Sequence, residues 1–314
     1  MQFLLFQHTP GQDCTMKTAT AFSPCNITGF FRVYTDSKDP LRAGSTGASV
    51  ALRTGVTTRV IVRRSPKSTV SASFNDRQLS EKSVSFYVTR KYLGLSRKRW
   101  NISITHTSRL PTGCGYGTSG AGALGLSLAL NEAIGQSLNK LEAAQVAHIS
   151  EIACKTGLGT VTSVFSGGFG LRTSPGAPGV GKITSLPVPK TLRLVTATFG
   201  PMATSRILRN DLLKNRVNTC GTALIERFDV RHLQTSFMEL SRMFADCLSL
   251  MSRRLGRVID RVDSTGFTSS MVMLGESLFC MVPIDDAGEI AGILQAEGLS
   301  PTVSDVARSG AHLL

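Results

Sequence analysis

An α+β protein of two domains is the fold class this sequence predicts, and three observations carry it. Strand-like alternation of β-branched and polar residues dominates the N-terminal third. Helical periodicity follows a glycine-rich loop in the middle. Both kinds of segment recur beyond Pro187 to Pro189. At 314 residues the chain is also long for one ordinary core.

The elements follow in order. "MQFLLFQHTPGQDCT" has a short apolar run and no basic leader, so it is not a secretory signal and reads as a disordered extension over residues 1–16. Organised sequence begins near Met16, a plausible alternative start. "TATAFSPCNITGFFRVY", Thr18 to Tyr34, reads as two strands joined at a Pro-Cys-Asn turn. "GASVALRTGVTTRVIVRR" and "KSTVSASF" continue as strands. In "NISITHTSRLP" Ile102 and Ile104 share one face, with Ser103 and Thr105 on the other. A helix is predicted from about Ser119 to Ala133, and a second after Asn139, whose side chain and Glu142 form a capping box. "VTSVFSGGFGLRTSPGAPGVGK" holds too many glycines and prolines for a helix and reads as a strand pair with turns. The first domain then spans residues 17–188 and the second 189–314. In the second, "TLRLVTATF" is a strand, 206–256 is largely helical, "SSMVMLGESLFCMVP" is a strand pair, "DAGEIAGILQAEG" is a short helix and the tail is a final strand.

The net charge is +14, and thirteen Lys or Arg residues against two acids lie between Arg53 and Arg109. No nucleic-acid-binding motif accompanies them, so a solvated basic face is the expectation and nucleic acid is not the expected partner. The seven cysteines are scattered and contain no CxxC pair, which argues for a reducing, cytoplasmic setting and against a disulfide framework or a zinc site. No apolar run approaches a membrane span.

The chemistry is concentrated in "LPTGCGYGTSGAGALGLSLALNEAIG", Leu110 to Gly135. A helix N-terminus presents unpaired N–H groups and partial positive charge, so it suits a phosphate chain. Gly113, Gly115, Gly117 and Gly120 allow close backbone approach, and Thr118 and Ser119 place hydroxyls at the helix start. A tight turn packed on a sheet is the bland alternative. The loop is neither a Walker A sequence nor a dinucleotide fingerprint.

"PTGCGYGTSGAGAL" resembles the ATP-binding motif of the GHMP kinases. "SPCNITGFF", "DPLRAGSTGASVAL" and "GLGTVTSVFSGGFGLRTSPGAPG" resemble segments of the archaeal pantoate kinase branch, and "SSMVMLG" resembles the superfamily's C-terminal motif. The resemblance implies a GHMP kinase fold with a ribosomal-protein-like N-terminal domain and a ferredoxin-like C-terminal one. It implies ATP and Mg²⁺ as cofactors, pantoate as the small-molecule substrate, a place in coenzyme A biosynthesis, and a homodimer as relatives often form. Carried across residue by residue, Gly113, Gly115, Gly117, Thr118, Ser119, Gly120 and Ala121 would bind ATP. Ser119 and Glu151 would hold the metal, and Asn26 and Arg172 would meet the substrate. Catalysis would involve Ser119, Glu151 and the position of Thr160. His148 is expected to be structural.

Two positions depart from that pattern. The family's Asp after Gly-Leu-Gly, which engages the substrate hydroxyl, is Thr160 here, and its Gly-His turn after the proline is Cys25 and Asn26. Threonine cannot serve as a base near neutral pH. A catalytically impaired or non-catalytic GHMP kinase relative, or a kinase for another small hydroxy acid, are therefore the alternatives to a pantoate kinase.

Overall fold

A computed structural model describes residues 16–202 and 211–314. The predicted N-terminal extension and the start of the 206–256 helical region lie outside the described residues. The chain forms β1 (Lys17–Tyr34), β2 (Gly44–Arg64), β3 (Thr69–Phe74), β4 (Arg77–Gln78), α1 (Val84–Leu95), β5 (Trp100–Thr107), α2 (Thr118–Ile134), α3 (Lys140–Cys154), α4 (Thr160–Ser166), β6 (Phe169–Ser174) and β7 (Lys182–Leu186). There follow β8 (Leu192–Pro201), α5 (Asp211–Arg227), α6 (Leu233–Leu248), α7 (Arg253–Asp263), β9 (Ser269–Met271), β10 (Gly275–Pro283), α8 (Ala287–Ala296), β11 (Thr302–Ser304) and β12 (His312–Leu313).

Two sheets organise these elements. The larger runs β12-β1-β2-β5-β3-β4, with β6 added to β2 and β7 to β6. The smaller runs β11-β8-β10-β9. All pairings are antiparallel except β3 with β5. The chain leaves the first sheet after Leu186 and enters the second at Leu192, and β12 then returns to pair with β1.

Helix α2 lies buried between the first sheet and its neighbouring helices, with Leu124, Leu126 and Leu130 all shielded. A helix that is apolar all round belongs in such a layer. Helix α3 starts with the expected capping box: Asn139 Oδ1 accepts from the Glu142 N–H at 3.0 Å, and Glu142 Oε2 accepts from the Asn139 N–H at 2.8 Å. One core joins α1, α2 and α3 to Val60, Val62, Ile102 and Ile104. A second joins the far half of β1 (Ile27, Phe30) to Phe237, Phe244 and Phe279 of the smaller sheet's layer.

Three expectations need correction, and one helix is new. Residues 17–34 form one strand, not two. Pro24, which has no N–H to give, sits at a register shift between Pro24 and Cys25, where a bulge tolerates it. Residues 160–166 form a helix although rich in β-branched residues. Packing overrides propensity there, and Ser163 and Ser166 hydroxyls bond back to the Gly159 and Thr162 carbonyls. Helix α1 had no counterpart in the sequence reading. Finally, Cys220 on α5 and Cys247 on α6 form a disulfide across two packed helices, with Cα atoms 6.5 Å apart. A pairing between separate helices leaves no spacing motif to read.

Candidate active site

The glycine loop is held in an open curve by its own backbone and by both sheets. Gly113, Gly115 and Gly117 all take positive φ, at 75°, 86° and 65°. Positive φ at alternate positions is a conformation that glycine adopts without steric cost. The Tyr116 hydroxyl is 2.7 Å from Thr198 Oγ1 on β8, and the Tyr116 carbonyl accepts from the Asn26 N–H at 3.0 Å. Ser277 Oγ on β10 donates to the Cys114 carbonyl at 3.0 Å. Gly275, in the predicted C-terminal motif, packs so closely on that carbonyl that no side chain would fit.

Helix α2 opens directly from this loop. Its N-cap is Gly117, with no side-chain cap and no acid in the first turn. The first amide groups of a 17-residue helix are thus left without a side-chain partner beside a cleft lined by Gly113, Gly115, Gly117, Thr118 and Ser119. This is the arrangement that favours a phosphate chain.

Glu151, on α3, lies behind that helix start. It is only 2% exposed. A Cβ placed on Gly120 would stand 2.7 Å from Glu151 Oε2 and 2.6 Å from Thr160 Cγ2, so both side chains crowd the first turn. Thr156 Oγ1 donates to Glu151 Oε1 at 2.9 Å, and the Ser119 hydroxyl lies near enough to the carboxylate to favour its charged form. Burial pushes the Glu151 carboxyl up to about 7 despite those two hydroxyls. It has no cationic partner among the described residues. A buried carboxylate without a counter-charge, beside a hydroxyl, is a hard-oxygen pair that fits Mg²⁺. No cluster of three or more His, Cys, Asp or Glu residues occurs among the described residues. Two protein oxygens suffice for that ion when phosphates and water complete the shell.

The opposite wall is formed by β1, β6 and α4. Asn26 is buried at a bend of β1. Its Nδ2 donates to Thr28 Oγ1 at 3.2 Å, while its Oδ1 is buried without a partner. A Cβ on Gly117 would stand 2.5 Å from that oxygen and 2.7 Å from Thr160 Cγ2, so Asn26, Thr160 and the helix start meet at one point. Arg172, on β6, is equally buried. Its Nη1 donates to Ser49 Oγ at 2.7 Å and to Ser163 Oγ at 2.6 Å, but its Nε has no partner. No acid pairs with it among the described residues, and burial lowers its pKa to about 10, which leaves it charged at neutral pH.

The structure therefore brings together Asn26, Gly113, Gly115, Gly117, Thr118, Ser119, Thr160 and Arg172, with Glu151 and Gly120 immediately behind. Ala121 is buried, with its methyl in the core and its N–H bonded to the Gly117 carbonyl at 3.0 Å in the first turn of α2. His148 bonds the Ala43 carbonyl at 3.0 Å through Nε2 and is buried, as a structural residue would be. Gly157, Leu158 and Gly159 line the cleft, as do Met273 and Leu274 of the C-terminal motif, while Phe31 and Ser45 also line it and were missed. So were Ser49 and Ser163, which hold Arg172. Ser45 and Ser49 lie in a segment already marked by its resemblance, but nothing in a run of small residues says which hydroxyl points inward.

These features define an ATP-dependent phosphotransferase of the GHMP type, and comparisons with known proteins agree. The model of the GHMP kinases N terminal domain matches residues 84–168. A pantoate kinase of Thermococcus kodakarensis is 30% identical over 295 residues, covering 91% of this chain and 95% of that protein. One from Methanospirillum hungatei is 31% identical over 268 residues, covering 83% and 86%. Among solved structures, a phosphotransferase related to the CoA biosynthesis pathway superposes with a TM-score of 0.84 at 26% identity, covering 95% of this chain and 98% of that one. A homoserine kinase from Cytophaga hutchinsonii shares the fold, with a TM-score of 0.68 at 17% identity over 99% of this chain and all of that one. The chain belongs to the pantoate kinase family.

Proposed function

We propose that this protein transfers the γ-phosphoryl group of ATP to the primary hydroxyl of pantoate, giving 4-phosphopantoate for coenzyme A synthesis. The observation that carries the reading is the pair of unpartnered buried atoms on the acceptor wall. Asn26 Oδ1 lacks a donor and Arg172 Nε lacks an acceptor, and both residues line the same cleft. Leaving such groups unpaired costs about 1–3 kcal/mol each, more for a charged one. A ligand carrying both a hydroxyl and a carboxylate satisfies both, and a hydroxy acid is that ligand. The guanidinium suits the carboxylate.

The donor side then positions ATP. The loop from Gly113 to Gly117 and the amides of α2 cradle the phosphates, and the Thr118 and Ser119 hydroxyls stand at their edge. Ser119 and Glu151 would hold Mg²⁺, which neutralises charge on the phosphate oxygens when bound. On the acceptor side, Arg172 anchors the carboxylate and Asn26 Oδ1 accepts the hydroxyl proton as a hydrogen bond, aiming the oxygen at the phosphorus. Thr160 supplies no base. A loose transition state needs little proton removal before the new P–O bond is largely formed, so positioning and charge neutralisation carry the reaction. Loss of a general base costs about 10²- to 10⁴-fold, which slows such an enzyme without silencing it.

The test is product identification by ³¹P NMR after incubation with Mg·ATP and D-pantoate, homoserine or mevalonate in separate reactions. A phosphomonoester formed only with D-pantoate is expected. A product with another acceptor only, or none with any, refutes the assignment.

A further inference from the structure

A second cavity of about 1010 Å³ shares no lining residue with the active cleft. It is bounded by the α4–β6 junction (166–169), by the segment that links the two sheets (186–193) and by the C-terminal tail (305–312). Its apolar part comes from Phe22, Phe169, Leu186, Val188 and Val306. Its charged part is Arg53, Lys190, Arg193 and Arg308 against a single carboxylate, Asp305.

That carboxylate is already engaged. Asp305 Oδ2 is 3.1 Å from Arg53 Nη1, and Oδ1 is 3.1 Å from Arg193 Nε. Lys190 and Arg308 have no acid partner among the described residues. Four cations around one acid give the cavity a surplus of three positive charges, which selects for a multiply charged anion. The apolar wall selects further, because a small hydrated ion gains nothing from it. An organic phosphate, with a dianionic head and an apolar or ring-shaped body, meets both demands.

The walls of this cavity lead into the active cleft. Helix α4 has Thr160 in the cleft at one end and Ser166 in the cavity at the other. Strand β6 has Phe169 in the cavity and Arg172 in the cleft. The tail is seated on these elements without slack. The Ala311 N–H donates to the Val164 carbonyl at 3.0 Å, and the Gly168 N–H to the Ala307 carbonyl at 2.6 Å. Gly310 lies so close to the Phe165 carbonyl that a side chain there would collide. The tail and residues 166–169 are thus packed directly on the two elements that carry Thr160 and Arg172, which gives a contiguous route from cavity to cleft.

We infer that this cavity is a regulatory site for an organic phosphate, and that its occupancy changes the affinity of the active cleft for the acceptor. The coupling rests on the kinase reading above, whereas the binding does not.

Calorimetric titration of the full-length protein with 1-naphthyl phosphate tests the site, with the active cleft filled by a non-hydrolysable ATP analogue, Mg²⁺ and D-pantoate. The comparison is with the Lys190→Glu/Arg308→Glu double variant and with inorganic phosphate. Binding to the wild type should weaken by about tenfold or more in the variant, and inorganic phosphate should bind about tenfold more weakly than the naphthyl ester. Without the probe, the variant should keep its circular dichroism spectrum, kcat and KM values. With the probe, KM for pantoate should shift by about twofold or more in the wild type only, and KM for ATP should stay constant. Equal affinity in wild type and variant, or no preference for the naphthyl ester, overturns the site. Variant-sensitive binding with an unmoved KM overturns the regulation. If pantoate is not turned over at all, the kinase reading fails and the calorimetry still decides the site.

Discussion

The two walls of this cleft, proposed above as its donor and acceptor walls, are built from different materials. The donor wall is mostly backbone: three left-handed glycines, the start of α2, and a Ser119–Glu151 pair behind them. The acceptor wall is mostly side chain: Asn26, Thr160, and Arg172 held by Ser49 and Ser163. Backbone geometry is difficult to alter piecemeal, because a side chain at Gly117 would meet Asn26 and Thr160. Side chains can be exchanged one at a time. The two departures from the family pattern noted in the sequence, Asn26 and Thr160, both lie on the wall proposed to meet the acceptor.

That contrast can be broken or sharpened by substitution. The largest effects should follow from Glu151→Gln. Removing the buried carboxylate should weaken Mg²⁺ dependence by about 10- to 100-fold, read as a raised Mg²⁺ concentration for half-maximal rate. Pantoate affinity should be unaffected. Arg172→Ala should raise KM for pantoate by about 10- to 100-fold, the value of a charged hydrogen bond, and leave KM for ATP unchanged. A change in KM for ATP instead would mean that the two walls have been assigned in the wrong order.

A pH effect on stability comes next. His106 lies buried on β5 beneath α2, bonded to Thr58 Oγ1 at 2.8 Å and Ser85 Oγ at 2.9 Å. Burial lowers its pKa from 6.5 to about 4. Between those values the unfolded chain binds a proton that the folded protein refuses. Stability should therefore fall as pH drops from 6.5 towards 4, by on the order of 3 kcal/mol at full protonation. His106→Gln should flatten that part of a Tm-against-pH curve. An unchanged slope would mean that another group carries it. The smallest effect is Asn26→Ala, which should lower kcat/KM for pantoate by about tenfold through loss of one hydrogen bond. An unaltered value would remove Asn26 from the acceptor site.

The same contrast explains what could be foreseen. The glycine loop and the capping box of α3 were legible because each is a local device. Glycines at alternate positions before an apolar helix, and Asn139 with Glu142 three residues on, announce their geometry without any knowledge of neighbours. Helix α4 was not legible. "TVTSVFS" has the composition of a strand, and it becomes helical because Val161 and Val164 are buried against elements distant in sequence. The support of Arg172 was hidden for the same reason: Ser49 and Ser163 stand 123 and 9 residues from it along the chain. The Cys220–Cys247 disulfide depended on the packing of α5 on α6, which no spacing in the sequence reports.

The central claim is that phosphoryl transfer here proceeds without a carboxylate at the acceptor hydroxyl. ADP release from Mg·ATP, with and without D-pantoate, compared between wild type and Thr160→Asp, tests it most directly. Pantoate-dependent release by the wild type is predicted, with a faster rate in Thr160→Asp. No turnover by the wild type alongside activity in Thr160→Asp would contradict the claim, and would show that the side chain at position 160 must be an acid for the reaction to run.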